Sequence, residues 1–201
     1  MKKNLKIKGF ALLSILLPLF AQAQDESQPV TIDDLMALQS LSSPQISPDG
    51  EWVAYVVRSR DMEEDKSNTQ VFMVATSGGE PIPMTDKETS ASDPQWSPDG
   101  RFLSFTASKG EGAKTQIWTL NRLGGEAVQL TDVISGVRDY AWSPDGSRLL
   151  LTLTDPKPAD LTEDKDDDDK AVPYVIDRMQ FKQDYSGYLD RRRTHVYVYT
   201  L

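Results

Sequence analysis

The side chains of this chain that could do chemistry are few, and most of them lie in its last third. The chain has 201 residues, no cysteine and one histidine, His195. The lack of cysteine excludes disulfides, thiolate metal sites and cysteine nucleophiles. A lone imidazole needs a positioned serine to act in acyl transfer, and no Gly-x-Ser-x-Gly elbow occurs in the sequence. We therefore expect a structural role for His195 and assign no catalytic residue, no metal ligand and no cofactor.

A group of cationic and phenolic side chains is the candidate for contact with a substrate. Its members are Arg178, Lys182, Tyr185 and Tyr188. Guanidinium groups can hold a peptide carboxylate through two parallel hydrogen bonds, which favours a substrate-facing edge. The alternative is that these cations, with the arginines at 191–193, pair with the nearby acids Asp177, Asp184 and Asp190.

Four consecutive aspartates at 166–169 are the other group that invites a functional interpretation. Carboxylate oxygens are the ligands of hard cations such as Ca²⁺. Read as a calcium loop from Asp164, however, the segment places Asp169 where glycine is required and Val175 where the bidentate glutamate belongs. Because like charges in a block repel each other, we expect a solvated loop.

Composition and charge limit the classes of partner. Hydrophobic residues make up 38% of the chain and charged residues 26%, which is typical of a globular protein with one sizeable core. The net charge is −9. Nucleic-acid binding needs clustered cations, so the sequence argues against a nucleic-acid partner.

Residues 1–23 have the features of an export signal. Four lysines precede an apolar run at 10–20, and Ala21-Gln22-Ala23 supplies a small-x-small cleavage site. The apolar run is shorter than the roughly 20 residues that a bilayer-spanning helix needs. The sequence thus predicts a cleaved signal peptide, a periplasmic or secreted protein, and no membrane span after its removal.

A sequence repeat predicts the secondary-structure elements that position these residues. The tetrapeptide Ser-Pro-Asp-Gly begins at Ser47, Ser97 and Ser143, at offsets of 50 and 46 residues. Proline fixes the second position of a tight turn, aspartate bonds to its own backbone and glycine accepts a positive φ. β-Branched, aromatic or leucine-rich segments flank each turn, which predicts three β-hairpins.

The repeat continues beyond each hairpin. Residues 70–74 match 116–120, and 195–199 are a third copy, so each repeat has a third strand. A Gly-Gly turn and a short apolar segment at 78–86 recur at 124–132 and supply a fourth. Four antiparallel strands every 40–50 residues are the signature of a β-propeller blade.

The sequence therefore predicts an all-β fold: a partial β-propeller with two complete four-stranded blades and an incomplete third, following a cleavable signal peptide and a short helix. A lead-in at 24–43 holds the helix, and the partial propeller occupies 44–201. The blades run over about 44–86, 93–132 and 138–201, and the third carries an insertion at 155–193. Propellers close with about 4 to 8 blades, so we expect the N-terminal part of a longer protein.

These motifs resemble the prolyl oligopeptidase family of serine peptidases, in its acylaminoacyl-peptidase and dipeptidyl-peptidase branch. The resemblance rests on the lead-in at 31–35, on the Ser-Pro-Asp-Gly hairpins and above all on 177–198. That last segment reads Arg-x-x-x-Phe-Lys, then Gly-Tyr, then Arg-Arg-x-His.

The resemblance implies a propeller that covers a C-terminal α/β-hydrolase domain with a Ser, Asp and His triad. This chain would then be the N-terminal propeller part of an exported serine peptidase that hydrolyses short peptides, gating access to a catalytic domain absent from it. Its partners would be that hydrolase domain and short peptide substrates. The alternative is a non-enzymatic periplasmic propeller of the Tol type that binds protein or peptide partners.

Overall fold

A computed structural model describes residues 29–110, 112–157, 176–177, 179–184 and 187–201, with residues 187 and 188 described by their backbone alone. The expected signal peptide, the acidic run at 166–169, Arg178 and Tyr185 lie outside the described residues. The described residues between Ile32 and Leu201 belong to one compact unit. Within the described part of the chain, no helix has the length and hydropathy needed to cross a membrane.

The described chain is a short helix followed by three antiparallel sheets. The helix α1 spans Ile32–Ala37 and has no buried residue. Sheet 1 contains, in spatial order, β1 (Ser40–Ile46), β2 (Trp52–Asp61), β3 (Lys66–Ala75) and β4 (Ile82–Pro83). Sheet 2 contains β5 (Ala91–Trp96), β6 (Phe102–Ala107), β7 (Gln116–Asn121) and β8 (Val128–Gln129).

Sheet 3 has three described strands. They are β9 (Asp139–Trp142), β10 (Arg148–Thr154) and β13 (Thr194–Thr200), with β10 in the centre. A small separate hairpin, β11 (Lys182–Gln183) and β12 (Gly187–Tyr188), lies in the insertion between β10 and β13. The predicted all-β fold, with two four-stranded blades and an incomplete third, is confirmed.

Each Ser-Pro-Asp-Gly segment forms the same turn between the first two strands of a sheet. Ser47 Oγ donates to Asp49 Oδ1 at 2.5 Å and accepts the Trp52 N–H at 2.9 Å. The Gly50 N–H donates to the Ser47 carbonyl at 2.8 Å, and Gly50 has φ of 73°. The turns at Ser97 and Ser143 repeat these hydrogen bonds. The left-handed φ explains why glycine ends the motif.

The sheets pack face to face, and the strands between them are apolar on both sides. The junction between sheets 1 and 2 buries Ala54, Val56, Val71, Met73, Ala91, Trp96, Leu103, Phe105, Ala107 and Leu120. The junction between sheets 2 and 3 buries Ile117, Val137, Tyr140, Leu149 and Leu151. This double burial is why β6, the second strand of sheet 2, lacks the alternation expected of a sheet with one wet face.

In sheets 1 and 2, a glutamine of the third strand bonds to the segment that follows the fourth strand. In sheet 2, Gln116 donates to the Val133 carbonyl at 2.8 Å, and its Oε1 accepts the Thr131 hydroxyl at 2.8 Å. In sheet 1, Gln70 donates to the Thr85 carbonyl. The sequence alignment places His195 at this position in sheet 3, where its contacts are different.

Candidate functional site

A cluster around Asp155 holds together the two ends of the insertion in sheet 3. We call this cluster, formed by Asp155, Arg193 and His195, the neck of the insertion. Asp155 Oδ2 accepts the Arg193 N–H at 2.9 Å, and the Asp155 N–H donates to the Arg193 carbonyl at 2.9 Å. His195 Nε2 lies 3.1 Å from Asp155 Oδ1. One carboxylate therefore joins the residue that enters the insertion to the two that leave it.

The insertion leaves its sheet at the rim opposite to the Ser-Pro-Asp-Gly turns, because β10 begins at a turn and runs away from it. The equivalent connections are 62–65 in sheet 1 and 108–115 in sheet 2, whereas sheet 3 has 155–193. The glutamine of the shorter repeats is replaced by His195 where the connection is longest. In place of bonding to the segment after a fourth strand, this side chain contacts Asp155 at the neck of the insertion.

The arginines beyond the small hairpin pair with neighbouring acids. Arg191 forms an ion pair with Asp177, and Arg192 Nε donates to Asp190 Oδ2 at 2.5 Å. The Arg192 guanidinium holds the pKa of the Asp190 carboxyl below its ordinary value. Ionic pairing, the alternative considered for the cations of this region, is therefore observed for Arg191 and Arg192.

The four residues proposed to face a substrate are only partly described. Lys182 is exposed and lies in β11, where its backbone pairs with that of Tyr188 in β12. The Leu189 N–H donates to the Phe181 carbonyl at 2.9 Å and extends this hairpin. Arg178 and Tyr185 lie outside the described residues. A substrate-facing role for the four therefore stays a prediction.

A second cluster of charge, which the sequence interpretation missed, lies on the first strands of sheets 2 and 3. Burial raises the pKa of the Asp93 carboxyl, and the neighbouring Asp139 raises it further. Asp93 has a φ of 51°, as does Ser43 at the equivalent position of sheet 1, and in each sheet the strand register shifts there. The repeat did contain an indication of this cluster, because an aspartate lies four residues before the turn serine in two of the three copies.

A buried tyrosine connects these first strands. The Tyr140 hydroxyl donates to the Asp93 carbonyl at 3.0 Å and lies 2.8 Å from Ser104 Oγ. Burial is the main cause that raises the pKa of Tyr140 far above its ordinary value, so the hydroxyl stays protonated. These contacts fix the relative position of sheets 2 and 3 and hold Asp93 beside Asp139.

Chemically, the described groups can bind and position but show no catalytic constellation. The neck offers a carboxylate and an imidazole in contact, and the first strands of sheets 2 and 3 offer the carboxyl groups of Asp93 and Asp139 as acceptors for a cationic group. Among the residues that the structure describes, no group of three or more histidine, aspartate or glutamate side chains could hold a metal ion.

Comparison with known proteins finds peptidases that are similar to parts of this chain. No family model matches the chain. The uncharacterized peptidase YuxL of Bacillus subtilis is 38% identical over 80 residues, which are 40% of this chain and 12% of that protein. Dipeptidyl-peptidase 5 of Porphyromonas endodontalis is 26% identical over 111 residues, 50% of this chain and 16% of that protein.

Among solved structures, the acylaminoacyl peptidase of Pyrococcus horikoshii superposes with a TM-score of 0.63 at 23% identity, over 83% of this chain and 24% of its own. Acylaminoacyl peptidase in complex with Z-Gly-Gly-Phe-chloromethyl ketone superposes over the same shares with a TM-score of 0.64. These structures support the fold, and the sequence relatives are peptidases. The chain resembles the propeller portion of a prolyl oligopeptidase-family peptidase.

The chain matches only a small part of the length of each relative. The matched region is 12% to 16% of the peptidases and 24% of the acylaminoacyl peptidase structures. The resemblance inferred from residues 177–198 and from the hairpins is confirmed. The activity, the substrates and the domain partner of the whole protein belong to a proposal.

Proposed function

We propose that this propeller is the N-terminal part of an exported serine peptidase that hydrolyses short peptides, and that it gates access to a C-terminal α/β-hydrolase domain. In this proposal the hydrolase domain supplies the serine, aspartate and histidine, and the propeller restricts entry to small or unfolded substrates. The proposed leader at 1–23 directs the protein to the periplasm or the exterior, and 44–201 form the propeller sector.

The observation that carries the proposal is the long insertion in sheet 3, whose two ends are joined by the carboxylate of Asp155. The sequence relatives of this propeller are peptidases. A long connection in a regular repeat usually projects from one rim and often forms the binding face. Here the insertion contains its own hairpin and joins sheet 3 through Asp155, Arg193 and His195. Asp155 therefore links the two ends at which the insertion joins sheet 3.

The gating role can be tested in the full-length gene product by changing the neck. Asp155→Ala removes both the acceptor of the Arg193 N–H and the partner of His195. Both side chains are close to half exposed, so such a contact contributes about 1 kcal/mol or less, which is about a fivefold change in the population with an open neck. We expect kcat/KM for peptides longer than four residues to rise by up to that factor relative to kcat/KM for a dipeptide substrate.

His195→Gln and Asp184→Ala are the matched variants. His195→Gln restores the glutamine of the other two sheets and removes only the imidazole contact, so we expect a smaller rise. Asp184 is an exposed acid in the same insertion and should leave the ratio unchanged. An unchanged ratio in Asp155→Ala, with folding intact by circular dichroism, would contradict gating through this neck.

The coding sequence beyond Leu201 separates the peptidase from the alternative function. Further blades followed by a Gly-x-Ser-x-Gly elbow and a late histidine support the peptidase. A propeller that closes with no such elbow would instead indicate a non-enzymatic module of the Tol type that binds protein or peptide partners.

A further inference from the structure

One tryptophan of the repeat has a buried indole nitrogen without a hydrogen-bond acceptor. Trp96 Nε1 donates to the Gln45 carbonyl at 3.1 Å, and Trp142 Nε1 donates to Ser104 Oγ at 2.8 Å, each across a junction between sheets. Trp118 Nε1 is buried as well, but no acceptor for it is found among the residues that the structure describes. A buried donor without an acceptor is destabilising, so its presence calls for an explanation.

Trp118 borders a cavity of about 270 Å³ that is lined by residues of sheet 2 and its connections. Lys109 and Lys114 line it from the connection between β6 and β7, and Gln116 and Gln129 line it from β7 and β8. Sheets 1 and 3 flank sheet 2 on its two faces. The cavity therefore belongs to the interior of the repeat.

The two amide side chains of this cavity are used within the protein. Gln116 Nε2 donates to the Val133 carbonyl at 2.8 Å, and its Oε1 accepts the Thr131 hydroxyl at 2.8 Å and the Val133 N–H at 3.0 Å. Gln129 Nε2 donates to the Thr131 carbonyl at 2.7 Å. These amides fix the shape of the wall, and the recognition of a ligand depends on the indole and the charged groups.

The charged groups of the wall give it an excess of one positive charge. They are Lys109, Lys114 and Asp132, all of them exposed. Lys109 Nζ lies 4.3 Å from the centroid of the Trp118 ring. An ammonium group cannot accept a hydrogen bond, so Lys109 does not satisfy the indole. A ligand carboxylate has two acceptor oxygens and can accept from the indole and from the ammonium group together.

Lys109 also borders a second cavity, of about 280 Å³, between sheets 1 and 2. Asp86 of sheet 1 and Glu126 of sheet 2 line this cavity, and Phe105 and Leu120 contribute to its apolar wall. Carboxylates attract an ammonium group, and an apolar wall suits a hydrocarbon side chain. A ligand that extends past Lys109 into both cavities therefore needs a carboxylate at one end and an ammonium group at the other.

We propose that the two cavities, which we call the blade 2 cleft, bind a short peptide. Its C-terminal carboxylate accepts the Trp118 indole N–H and pairs with Lys109 and Lys114. Its N-terminal ammonium group lies toward Asp86 and Glu126. The peptide thus supplies the acceptor that the indole lacks.

The blade 2 cleft lies on the rim from which the insertion leaves. Its lysines belong to the connection at 108–115, which is the counterpart in sheet 2 of the insertion at 155–193. The choice of a peptide as the ligand rests on the proposed function. The need for a carboxylate rests only on the unsatisfied indole and the positive charge beside it.

The test follows the indole N–H resonance of Trp118 in the ¹⁵N-tryptophan-labelled full-length gene product, treated with a fluorophosphonate to prevent hydrolysis. Trp118→Phe identifies the resonance by its loss, and it introduces the residue that sheet 1 has at the equivalent position, Phe72. The probe is the dipeptide Gly-Phe. We expect its addition to move the indole proton downfield in a saturable manner, because the indole gains a charged acceptor.

Modified probes and matched variants locate the two ends of the peptide. The C-terminal amide of Gly-Phe should bind about tenfold more weakly, because it lacks the charged acceptor. N-acetyl-Gly-Phe should also bind more weakly, because it lacks the ammonium group. Lys109→Gln should weaken Gly-Phe up to about fivefold, since this lysine is exposed. Lys66→Gln, at an exposed lysine outside the cleft, is the control and should leave the affinity unchanged.

An indole resonance that does not move as Gly-Phe is added would overturn the proposal. Equal affinities for Gly-Phe and its amide would overturn it too, and an equal affinity for N-acetyl-Gly-Phe would contradict the role of the second cavity. The readout needs no turnover. A protein that binds Gly-Phe at Trp118 but does not react with the fluorophosphonate would contradict the peptidase proposal alone, whereas a reactive peptidase with an unmoved resonance would contradict the cleft alone.

Discussion

The two junctions between sheets have the same backbone repeat but different chemistry. The junction between sheets 1 and 2 is apolar, with Phe105 and Leu103 fully buried against Val56 and Val71. Its polar contacts lie at the edges: Arg122 pairs with Asp49 on the surface, and the Trp96 indole donates to the Gln45 carbonyl at 3.1 Å.

The junction between sheets 2 and 3 contains a buried hydrogen-bond network in addition to its apolar residues. Ser104 Oγ lies 2.8 Å from both the Tyr140 hydroxyl and the Trp142 indole nitrogen. Gln95 donates to the Tyr140 carbonyl at 2.7 Å, and the Tyr140 hydroxyl donates to the Asp93 carbonyl. Ser104 stands at the position that Ala54 holds in sheet 1. The repeat thus fixes the turns and strands, while each junction is specified by its own side chains.

The largest expected effect comes from the apolar junction. Phe105 is 1% exposed and contacts the residues of both sheets, so Phe105→Ala should destabilise the chain by about 3 to 5 kcal/mol. Urea denaturation followed by tryptophan fluorescence measures this change. The exposed Val128→Ala should change the free energy of unfolding by no more than about 0.5 kcal/mol. Equal effects of the two variants would contradict the packing described for this junction.

An exchange of residues between the junctions should be unfavourable in both directions. Ser104→Ala deprives the Trp142 indole N–H of its buried acceptor and removes the hydroxyl that lies 2.8 Å from the Tyr140 hydroxyl. Ala54→Ser buries a hydroxyl in an apolar junction. Each variant should lower the free energy of unfolding by about 1 to 3 kcal/mol, although each introduces the residue found at the equivalent position of the other sheet. The measurement is again urea denaturation. A neutral Ser104→Ala would show that the network does not contribute to the stability of the junction.

The surface ion pair should give a smaller effect that depends on salt. The guanidinium of Arg122 is the main cause that holds the pKa of Asp49 far below its ordinary value. Leu201 lies at the position equivalent to Arg122, so the junction between sheets 2 and 3 lacks this pair. Arg122→Leu should lower Tm slightly at low ionic strength, and Leu201→Arg should raise it slightly. Both shifts should shrink in about 1 M salt, where charges are screened within about 3 Å. Shifts that persist in high salt would point to packing instead.

Asp93, on the first strand of sheet 2, should give the smallest change in stability, and the sign of that change follows from linkage. The pKa of Asp93 is raised above its ordinary value of 3.8, so between those two values the folded protein binds more protons than the unfolded chain. The stability contribution of Asp93 therefore falls as pH rises through this window. Asp93→Asn should raise Tm at neutral pH and lose that advantage at acid pH.

Asp99→Asn is the opposite control for this titration. A hydrogen bond from Ser97 lowers the pKa of Asp99, so its stabilising contribution is present at neutral pH and is lost as pH falls. Asp99→Asn should lower Tm at neutral pH and approach the unchanged chain under acid conditions. Pairs of thermal melts at several pH values measure both variants. If the Tm difference between variant and unchanged chain changed with pH in the same direction for both variants, this would contradict the environments described for these two carboxyls.

Much of the fold was predictable because local chemistry encodes it. Proline, aspartate and glycine at fixed positions specify the turns, and the recurring spacing identifies the sheets as blades. The chemistry of the junctions was not predictable, since the hydroxyl of Ser104 meets Tyr140 only after two sheets pack together. The register shift at Asp93 was also missed, because a left-handed residue within a strand leaves no mark in hydrophobic periodicity.

The candidate site was less accessible from the sequence than the fold. The insertion was located by its length, and the arginine-rich segment after the hairpin was recognised. The contact between Asp155 and His195 at its neck was not predicted. These residues lie 40 positions apart and meet only because β10 pairs with β13. The available indication was that His195 occupies the position of Gln70 and Gln116 in the repeat. It points to a contact with Asp155 only once the start of the insertion is known.

The most direct test of the proposed peptidase compares the 201-residue chain with the full-length gene product on chromogenic dipeptide substrates. The account predicts no turnover by the chain alone. It predicts turnover by the full-length protein that a fluorophosphonate abolishes, because the nucleophile lies in the proposed hydrolase domain. Hydrolysis by the purified 201-residue chain, or a full-length protein that neither hydrolyses peptides nor reacts with the fluorophosphonate, would contradict it.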